Sequence, residues 1–399
     1  MLPVSERFTF DYFGSELAYG RGRIAEIGDD LDTYGLERAL VVCGSNVGAN
    51  DELMDPIRAG LGDRLVGVFD ETTPGKRAET AYDLLEAVDE HDPDVLVSVG
   101  GGSSIDITRV ATALREDGRT LEELRAEARK TDDVEPARCD GEPIAHVTVP
   151  TTFAGADISA GGSLVVSAAD EAPTGRVQRV GSASDRVRPI RMVYDPELFE
   201  TTPMRPLAGS AMNGFDKGLE TIYTSNATPI TDATAVHGLR LLTEALPRLP
   251  DGDADAMDRA VVGVILVQFR RQTAIVHAFG HGFARRYPVQ QGDVHAIVVP
   301  HVLETLLETV DGRRALLAEG LGVDADLSDD ELAEAIVERV ASVRDSLGLP
   351  TQLRQLEGTD REDFRAIAEF IVDDAPMGRN PVDFDPTVDE IEALLEAAW

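Results

Sequence analysis

Cysteine and long apolar segments are scarce in this 399-residue sequence. Its two cysteines, Cys43 and Cys139, are too few for a disulfide framework or a thiolate metal site. No run of about 18 apolar residues is present, and the first residues lack the apolar core of a signal peptide. The sequence therefore predicts a cytoplasmic protein that does not associate with a membrane.

Positive charge is also in short supply. Only three lysines occur, Lys76, Lys130 and Lys217, and 73 acidic residues against 37 basic ones give a net charge of −36. Such a field repels nucleic acid and anionic membranes, so neither is an expected partner. At about 1 M ionic strength the screening length falls to about 3 Å, which removes most of the self-repulsion. We therefore expect a halophilic host, with a moderately acidic mesophilic protein as the alternative.

Two domains are expected from the pattern of apolar residues. Strands alternate with helices over residues 36–115, which indicates βαβ crossovers and a parallel, Rossmann-like sheet. Two later segments, Leu164–Ser167 and Arg191–Pro196, are expected to form a pair of strands around a flexible segment. From about Thr201 onward only helical spacing remains. We therefore predict an α/β domain at 1–200 and an all-helical domain at 201–399.

A glycine-rich turn follows the clearest buried strand. Val95–Val99 is apolar and rich in β-branched residues, three glycines follow at 100–102, and a helix is expected to begin near Ser103. Glycine lets the backbone approach a ligand, and the start of a helix offers unpaired N–H groups to a phosphate. In the alternative interpretation, Ser103 caps the helix and Asp106 completes a capping box.

Other strand ends carry groups that suit a nucleotide. Thr151 and Thr152 follow the strand Ala145–Pro150, and their hydroxyls can bind a ribose or a carboxamide, or form a local turn without a ligand. Gly44 also ends a buried strand, and ligands bind beyond the carboxyl ends of such strands.

The helical half contains two candidate sites of chemistry. Asn213 and Lys217 are four residues apart, as are His277 and His281, so each pair shares a helix face. Four of the seven histidines lie between residues 277 and 301. Each histidine alone is more typical of a core position than of a catalyst, but the cluster favours a site.

The order of motifs resembles the iron-containing (group III) alcohol dehydrogenase family. The matching segments are Gly100–Asp106, Pro150-Thr151-Thr152, Val193–Leu198, the helix of Met212 and Asn213, His277 to His281, Pro300-His301 and Asn380-Pro381. The resemblance implies an NAD(P)-dependent oxidoreductase that is a homodimer or higher homo-oligomer. It also implies that the α/β domain at 1–200 binds the dinucleotide and that the helical domain at 201–399 is catalytic. It assigns cofactor binding to Gly44, Ser45, Asp70, Gly101, Gly102, Ser103, Ser104, Asp106, Thr151 and Thr152.

The places of the family's metal ligands are largely altered. Metal-dependent members use an Asp, a His four residues later, and two further histidines fourteen residues apart; the resemblance puts Asn213, Lys217, His277 and Gln291 there. A charged ammonium cannot coordinate a metal, and neutral amides are poor ligands. We therefore expect no metal, with a displaced set of Asp216, Glu220 and a histidine as the alternative.

The metal-free maleylacetate reductases resemble this chain in more details, including an Asn at the first place and a histidine at His295. Lys217 and Gln291 depart even from that branch. We assign Lys217 to polarising a carbonyl as an ammonium, Asn213 to the same catalytic site, and His277 and His281 to a proton relay. In the alternative, Lys217 forms an ordinary ion pair with Glu220 or Glu197.

The substrate and the form of the cofactor are less constrained. NAD-selective members carry an acid at the place of Gly44, so Gly44-Ser45 favours NADP(H) or dual use, whereas Asp70 is compatible with NAD. Arg285, Arg286 and Lys217 favour a small polar carbonyl compound with a carboxylate, such as a maleylacetate-like oxoacid. The alternatives are a metal-dependent alcohol dehydrogenase, a lyase like the dehydroquinate synthases, and a nucleotide-binding protein without catalysis.

Overall fold

The structure is a computed structural model that describes residues 14–130, 134–168, 171–172, 177–270, 272–324 and 326–399. The chain divides after Thr202 into two compact units. The first is an α/β unit and the second is helical, as the sequence predicts. The sequence pattern also predicts an opening β segment and a short helix over residues 8–27, of which residues 8–13 lie outside the described residues.

The α/β unit is built on a parallel sheet. Its strands are β1 (Glu16–Tyr19), β2 (Ala39–Gly44), β3 (Leu65–Thr72), β4 (Val95–Gly100), β5 (Ala145–Pro150), β6 (Gly161–Ser167), β7 (Gln178–Ala183) and β8 (Arg191–Tyr194). Six of them form the sheet in the order β1-β8-β5-β4-β2-β3, with parallel pairing throughout. The predicted Rossmann-like architecture is therefore confirmed.

Helices cover this sheet on both faces. They are α1 (Ile27–Thr33), α2 (Ser45–Gly48), α3 (Asp51–Leu61), α4 (Ala78–His91), α5 (Gly102–Asp117), α6 (Leu121–Ala128) and α7 (Pro196–Glu200). Alternate residues of β2 point to opposite sides: Leu40 and Val42 join one apolar cluster, whereas Val41 and Cys43 join the other. Because both faces of the central strands β2 and β4 are buried, these strands are almost continuously apolar, whereas the edge strands β1 and β3 are partly exposed.

The predicted pairing of the two later strands is wrong. β6 pairs antiparallel with β7, which lies inside the segment expected to be flexible, and β8 joins the main sheet between β1 and β5. The backbone N–H groups of Gly22 and Ile24 both donate to the Asp195 carboxylate, at 3.1 Å, and so tie the end of β8 to the chain after β1. A short apolar run does not specify its partner, because pairing depends on these distant contacts.

The second unit is helical throughout its described residues. Its helices are α8 (Met204–Tyr223), α9 (Pro229–Ala245), α10 (Ala254–Gln268), α11 (Ile275–Ala284), α12 (Gln291–Thr309), α13 (Arg314–Leu321), α14 (Asp329–Ser346), α15 (Phe364–Asp373) and α16 (Val388–Ala397). The segments 247–252, 320–328 and 375–385, where the sequence pattern predicts interruptions of the helices, lie at or just after the ends of α9, α13 and α15. Within the described ranges no helix has the length and apolar character that a membrane span requires.

Two glycines bring α8 and α12 into backbone contact. A Cβ on Gly292 would lie 1.8 Å from the carbonyl oxygen of Gly209, so neither helix could approach as closely with a side chain there. Beside this contact, Arg205 forms a two-bond ion pair with Asp293, at 2.8 and 2.6 Å. The contact places the buried face of α8 against the first turns of α12.

Candidate active site

The glycine-rich turn has the geometry of an anion-binding loop. Gly100 has φ +121°, a value that favours glycine, Gly101 is the N-cap of α5, and the helix begins at Gly102, one residue before the predicted start. The alternative capping box of Ser103 and Asp106 does not form, and no side chain among the described residues caps this end. The first backbone N–H groups of α5 are therefore offered to a ligand.

The predicted threonines lie beside the same turn. The backbone N–H of Thr151 donates to the carbonyl oxygen of Gly100 at 3.0 Å, and a Cβ on Gly101 would lie 3.4 Å from Thr152 Cγ2. The hydroxyl of Ser104 is buried and hydrogen-bonds to that of Thr72 at 2.7 Å. Of the two adjacent serines, Ser103 is the more accessible.

Asp106 is held between two cations. Lys76 Nζ lies 2.6 Å from one carboxylate oxygen, and an Arg109 nitrogen lies 3.0 Å from the other. The fully buried Arg109 also donates to the carbonyl oxygens of Ala156 and Gly161, at 2.6 and 3.0 Å. Asp106 thus anchors the turn to neighbouring loops, and cofactor contact by this residue stays a prediction.

The three residues assigned to the adenosine end of the cofactor lie at neighbouring strand ends. Gly44 ends β2 and is in register with Thr72 of β3, and Ser45 begins the short helix α2 with its side chain exposed. The exposed Asp70 packs against this helix, since a Cβ on Gly48 would lie 2.7 Å from Asp70 Cβ.

In the helical unit, Asn213 and Lys217 are buried side by side on α8. The Lys217 ammonium donates to Asn213 Oδ1 at 2.6 Å, and the two residues are 4% and 8% exposed. Oδ1 accepts this bond with one of its two lone pairs, and Nδ2 carries two N–H donors. The predicted pair therefore forms a set of hydrogen-bond donors with one positive charge.

Glu220, one helical turn further along α8, contacts α11. Its carboxyl accepts the backbone N–H of His277 at 3.2 Å and bonds to His277 Nδ1. Burial raises the pKa of Glu220 to about 8, although backbone N–H groups at the start of α11 act in the opposite direction.

A second carboxyl and imidazole meet deeper in the same core. His295 Nδ1 lies 3.2 Å from Asp216 Oδ2, both side chains are fully buried, and the His295 ring is 4.5 Å from that of His277. Burial and the nearby Glu220 raise the pKa of Asp216 well above its usual range. Burial and then Lys217 lower the pKa of His295 well below its usual range.

His281 lies one turn after His277 and reaches solvent. Its Nδ1 is 2.6 Å from Asp374 Oδ2, and 40% of its side chain is exposed. Sequence reasoning missed Asp374, which precedes a proline-containing turn and carries no pattern of its own. It also missed Glu220 as the partner of His277, although positions 213, 217 and 220 share one face of α8.

The two arginines expected to favour a carboxylate have other contacts. Arg286 pairs with Asp363, and the guanidinium of Arg285 lies over the ring of Phe370 at 4.3 Å. The contacts of both arginines are thus with side chains of their own unit, and recognition of a carboxylate by Lys217 stays a prediction.

The donor chemistry does not fit the family's iron. The ammonium of Lys217 and the amides of Asn213 and Gln291 occupy three of the four ligand places, and Lys217 Nζ donates to Asn213. In the described part of the chain no group of three or more His, Cys, Asp or Glu residues is arranged to hold a metal. That finding includes the alternative set of Asp216, Glu220 and a histidine.

Comparison with known proteins covers both units. Residues 14–196 match the iron-containing alcohol dehydrogenase family, and residues 207–399 match the C-terminal domain of the Fe-containing alcohol dehydrogenase family. The chain is 26% identical to the NAD-dependent methanol dehydrogenase of Bacillus methanolicus, over 95% of this chain and 97% of that protein. It is 25% identical to the maleylacetate reductase of Burkholderia cepacia, over 98% of this chain and 97% of that protein.

The fold has close counterparts among solved structures. A 1,3-propanediol oxidoreductase superposes with a TM-score of 0.87, at 22% identity, over 98% of this chain and 100% of that one. With both halves matched in order and the same two-part fold, the chain is an oxidoreductase that belongs to the iron-containing alcohol dehydrogenase family, near its maleylacetate reductase branch.

Proposed function

We propose that this oxidoreductase works without a metal, transferring hydride between NAD(P)(H) and a small polar carbonyl compound or the corresponding alcohol. The observation that carries the proposal is the buried hydrogen bond from Lys217 Nζ to Asn213 Oδ1, at the places where metal-dependent relatives of the resembled type hold their ion. An ammonium can supply what that ion supplies, which is positive charge next to a developing alkoxide.

The turn before α5 fits the phosphates of a dinucleotide. Gly101, Gly102 and Ser103 would hold them with backbone N–H groups and one hydroxyl, since no side chain in the described chain already caps that end. When bound, the reduced nicotinamide supplies the hydride. Ser45 leaves room for a 2′-phosphate, and Asp70 is an acceptor for a ribose hydroxyl, so we propose use of both NADP(H) and NAD(H).

Lys217 polarises the substrate carbonyl in the proposed reaction. Its ammonium donates a hydrogen bond to the carbonyl oxygen, and that bond strengthens as the oxygen becomes negative. Asn213 keeps the flexible lysine side chain in place through Oδ1. In the oxidative direction the same charge stabilises the alkoxide of the alcohol.

The proton that completes the alcohol is supplied by histidine. His277 lies in the core beside Glu220, and His281 follows one turn later with its ring partly in solvent. Residues four apart on a helix lie on the same face, so the two rings form a short path from the interior to water.

The substrate class follows from the donors of the site. Lys217 Nζ and Asn213 Nδ2 both donate, which favours a substrate with two neighbouring acceptor oxygens. A carboxylated carbonyl compound such as a maleylacetate-like oxoacid meets this requirement, and small aldehydes and ketones complete the series to be tested.

The proposal is tested with purified protein in molar KCl. Elemental analysis accompanies a screen of oxoacids, aldehydes and ketones with NADH and with NADPH, before and after treatment with a chelator. We expect turnover with far less than one metal ion per chain and no loss after chelation. Stoichiometric iron or zinc whose removal abolishes turnover would refute metal independence.

A second candidate is a metal-dependent alcohol dehydrogenase with a displaced ligand set. The observation in its favour is that Asp216, Glu220, His277 and His295 are buried together. In that case the metal found by elemental analysis would be lost in Asp216→Asn and retained in Lys217→Met. A lyase or a nucleotide-binding protein without catalysis would show cofactor binding but no change in nicotinamide absorbance with any substrate.

A further inference from the structure

Both histidines of the proposed relay are held in the same way. His277 is bonded through Nδ1 to Glu220 of α8, and His281 is bonded through Nδ1 to Asp374, which follows α15. Two successive turns of α11 thus receive a carboxyl group from two different segments, one within α8 and one just after α15. Because Nδ1 of each ring is bonded to a carboxyl, Nε2 is the nitrogen of each ring that can exchange a proton in the proposed relay.

Glu220 contacts more than the imidazole. The backbone N–H of His277 also donates to its carboxyl, and the backbone N–H groups of Ala274 and Val276 act to lower its pKa, so Glu220 faces the first turn of α11 from another helix. One carboxyl therefore binds both the backbone and the ring of His277. Because the side chain of Glu220 is fully buried, water does not compete with the backbone N–H or the ring of His277 for its carboxyl.

We propose that Glu220 is the positioning residue of His277: by bonding Nδ1, it directs Nε2 to the substrate oxygen. The inference rests on the proposed function, because His277 must be the proton donor for Nε2 to matter. In the reductive direction, the N–H bond at Nε2 breaks and the alkoxide oxygen gains that proton as its O–H bond forms. The proton between Glu220 and Nδ1 stays within that hydrogen bond, and Nε2 is reprotonated from water through His281.

A purely structural role is the competing explanation, since a carboxyl that caps a buried helix also stabilises the fold. The two roles differ in their dependence on His277. A positioning residue contributes nothing to turnover once its imidazole is gone, whereas a structural cap contributes equally with or without the ring.

The test is a double-mutant cycle with Glu220→Gln, His277→Gln and the double variant, measured in molar KCl. We expect kcat to fall about 100-fold in Glu220→Gln with the KM values little changed, and by a similar or larger factor in His277→Gln. The double variant should be no slower than His277→Gln alone. Multiplicative losses, or wild-type turnover in Glu220→Gln, would overturn the proposal.

Histidine-selective ¹⁵N NMR of the substrate-free protein provides a readout that does not depend on turnover. In Glu220→Gln the tautomer pattern of His277 should change while the signals of the other histidines stay. An unchanged His277 signal would refute the proposal that Glu220 fixes the tautomer of His277 through Nδ1. If instead His277→Gln keeps full activity, the proposed relay is refuted. The NMR result then still decides whether Glu220 fixes the tautomer of the His277 ring.

A matched control separates catalysis from stability. Asp232 is another buried carboxylate of the helical unit, and it binds Arg313 at 2.8 and 2.6 Å, away from α11. Asp232→Asn should lower the melting temperature but leave kcat at the wild-type value and the His277 signal unchanged. A loss of kcat in Asp232→Asn equal to that in Glu220→Gln would show that loss of stability alone explains the effect.

Discussion

Replacing Lys217 by methionine tests the central feature of the site. Methionine has nearly the length of lysine and suits a position that is 4% exposed, but it removes the charge and the hydrogen-bond donors. The substitution leaves α8 intact, because both residues favour a helix. The effect should therefore fall on catalysis.

The size of the effect follows from the local electrostatics. An ammonium about 3 Å from an alkoxide interacts with it by about 5 kcal/mol at an effective dielectric constant of about 20. Removing one such donor from an enzyme site costs about 3–4 kcal/mol of transition-state stabilisation. We therefore expect kcat to fall by about 10²–10³, equally in the reductive and oxidative directions.

Stability should change much less. Asn213 Oδ1 loses its 2.6 Å donor, which costs about 1–3 kcal/mol, but the core no longer buries an ammonium, which offsets part of that cost. Thermal unfolding in molar KCl measures this term separately from kcat.

The assay follows nicotinamide absorbance with a substrate identified in the carbonyl screen. Lys130→Met is the matched control, because it removes an exposed lysine from the other unit and should leave kcat unchanged. If Lys217→Met retains wild-type turnover while remaining folded, the ammonium has no part in the reaction and the proposed mechanism is refuted.

Three further outcomes can be measured by unfolding. The pKa of Glu220 rises from 4.5 to about 8 on burial, so the folded protein keeps a proton that the unfolded chain releases, and stability falls as pH rises through that window. Relative to Glu220→Gln, the wild type should lose roughly 3–5 kcal/mol of unfolding free energy between pH 4.5 and 8.5; equal pH dependence would contradict the assignment. Gly292→Ala should destabilise the helical unit by several kcal/mol, because the new Cβ would lie 1.8 Å from the carbonyl oxygen of Gly209. The control is Gly378→Ala, which has open space around the new Cβ and should be nearly neutral. Equal melting temperatures of the two variants would refute the close contact between α8 and α12. With a net charge of −36, the protein should unfold on dialysis into dilute buffer and regain structure in molar KCl, as followed by circular dichroism, and a melting temperature indifferent to salt would exclude this dependence.

Much of the fold could be predicted from local patterns. The strand β4 and the turn at Gly100–Gly102 were predicted because a buried parallel strand is continuously apolar and glycine marks the close approach of backbone. The error over β6 and β8 has the opposite origin. Their partners lie far away in sequence, and a short apolar run carries no information about which edge of a sheet it joins.

In the candidate site, too, contacts within one helix were predicted, whereas contacts between distant segments were not. Asn213 and Lys217 were paired from the sequence because four residues make about one helical turn. The partner of His277 lies 57 residues away, on α8, and that of His281 lies 93 residues away, just after α15. Which side chains meet between helices depends on crossing angle and separation, which no spacing within a segment specifies.

The sequence by itself determined the excess of acidic residues, the two kinds of architecture, the glycine turn and the amide and ammonium side chains at the expected ligand places, because each depends on residue type or on periodicity within one element. Tertiary structure alone decided that Glu220 and Asp374 each hold a histidine, that Asp216 and His295 share the core beneath Lys217, and that Asp106 is bound by two cations. These contacts require helices and strands distant in the chain to pack at particular depths, and burial then changes the protonation of the groups that meet there.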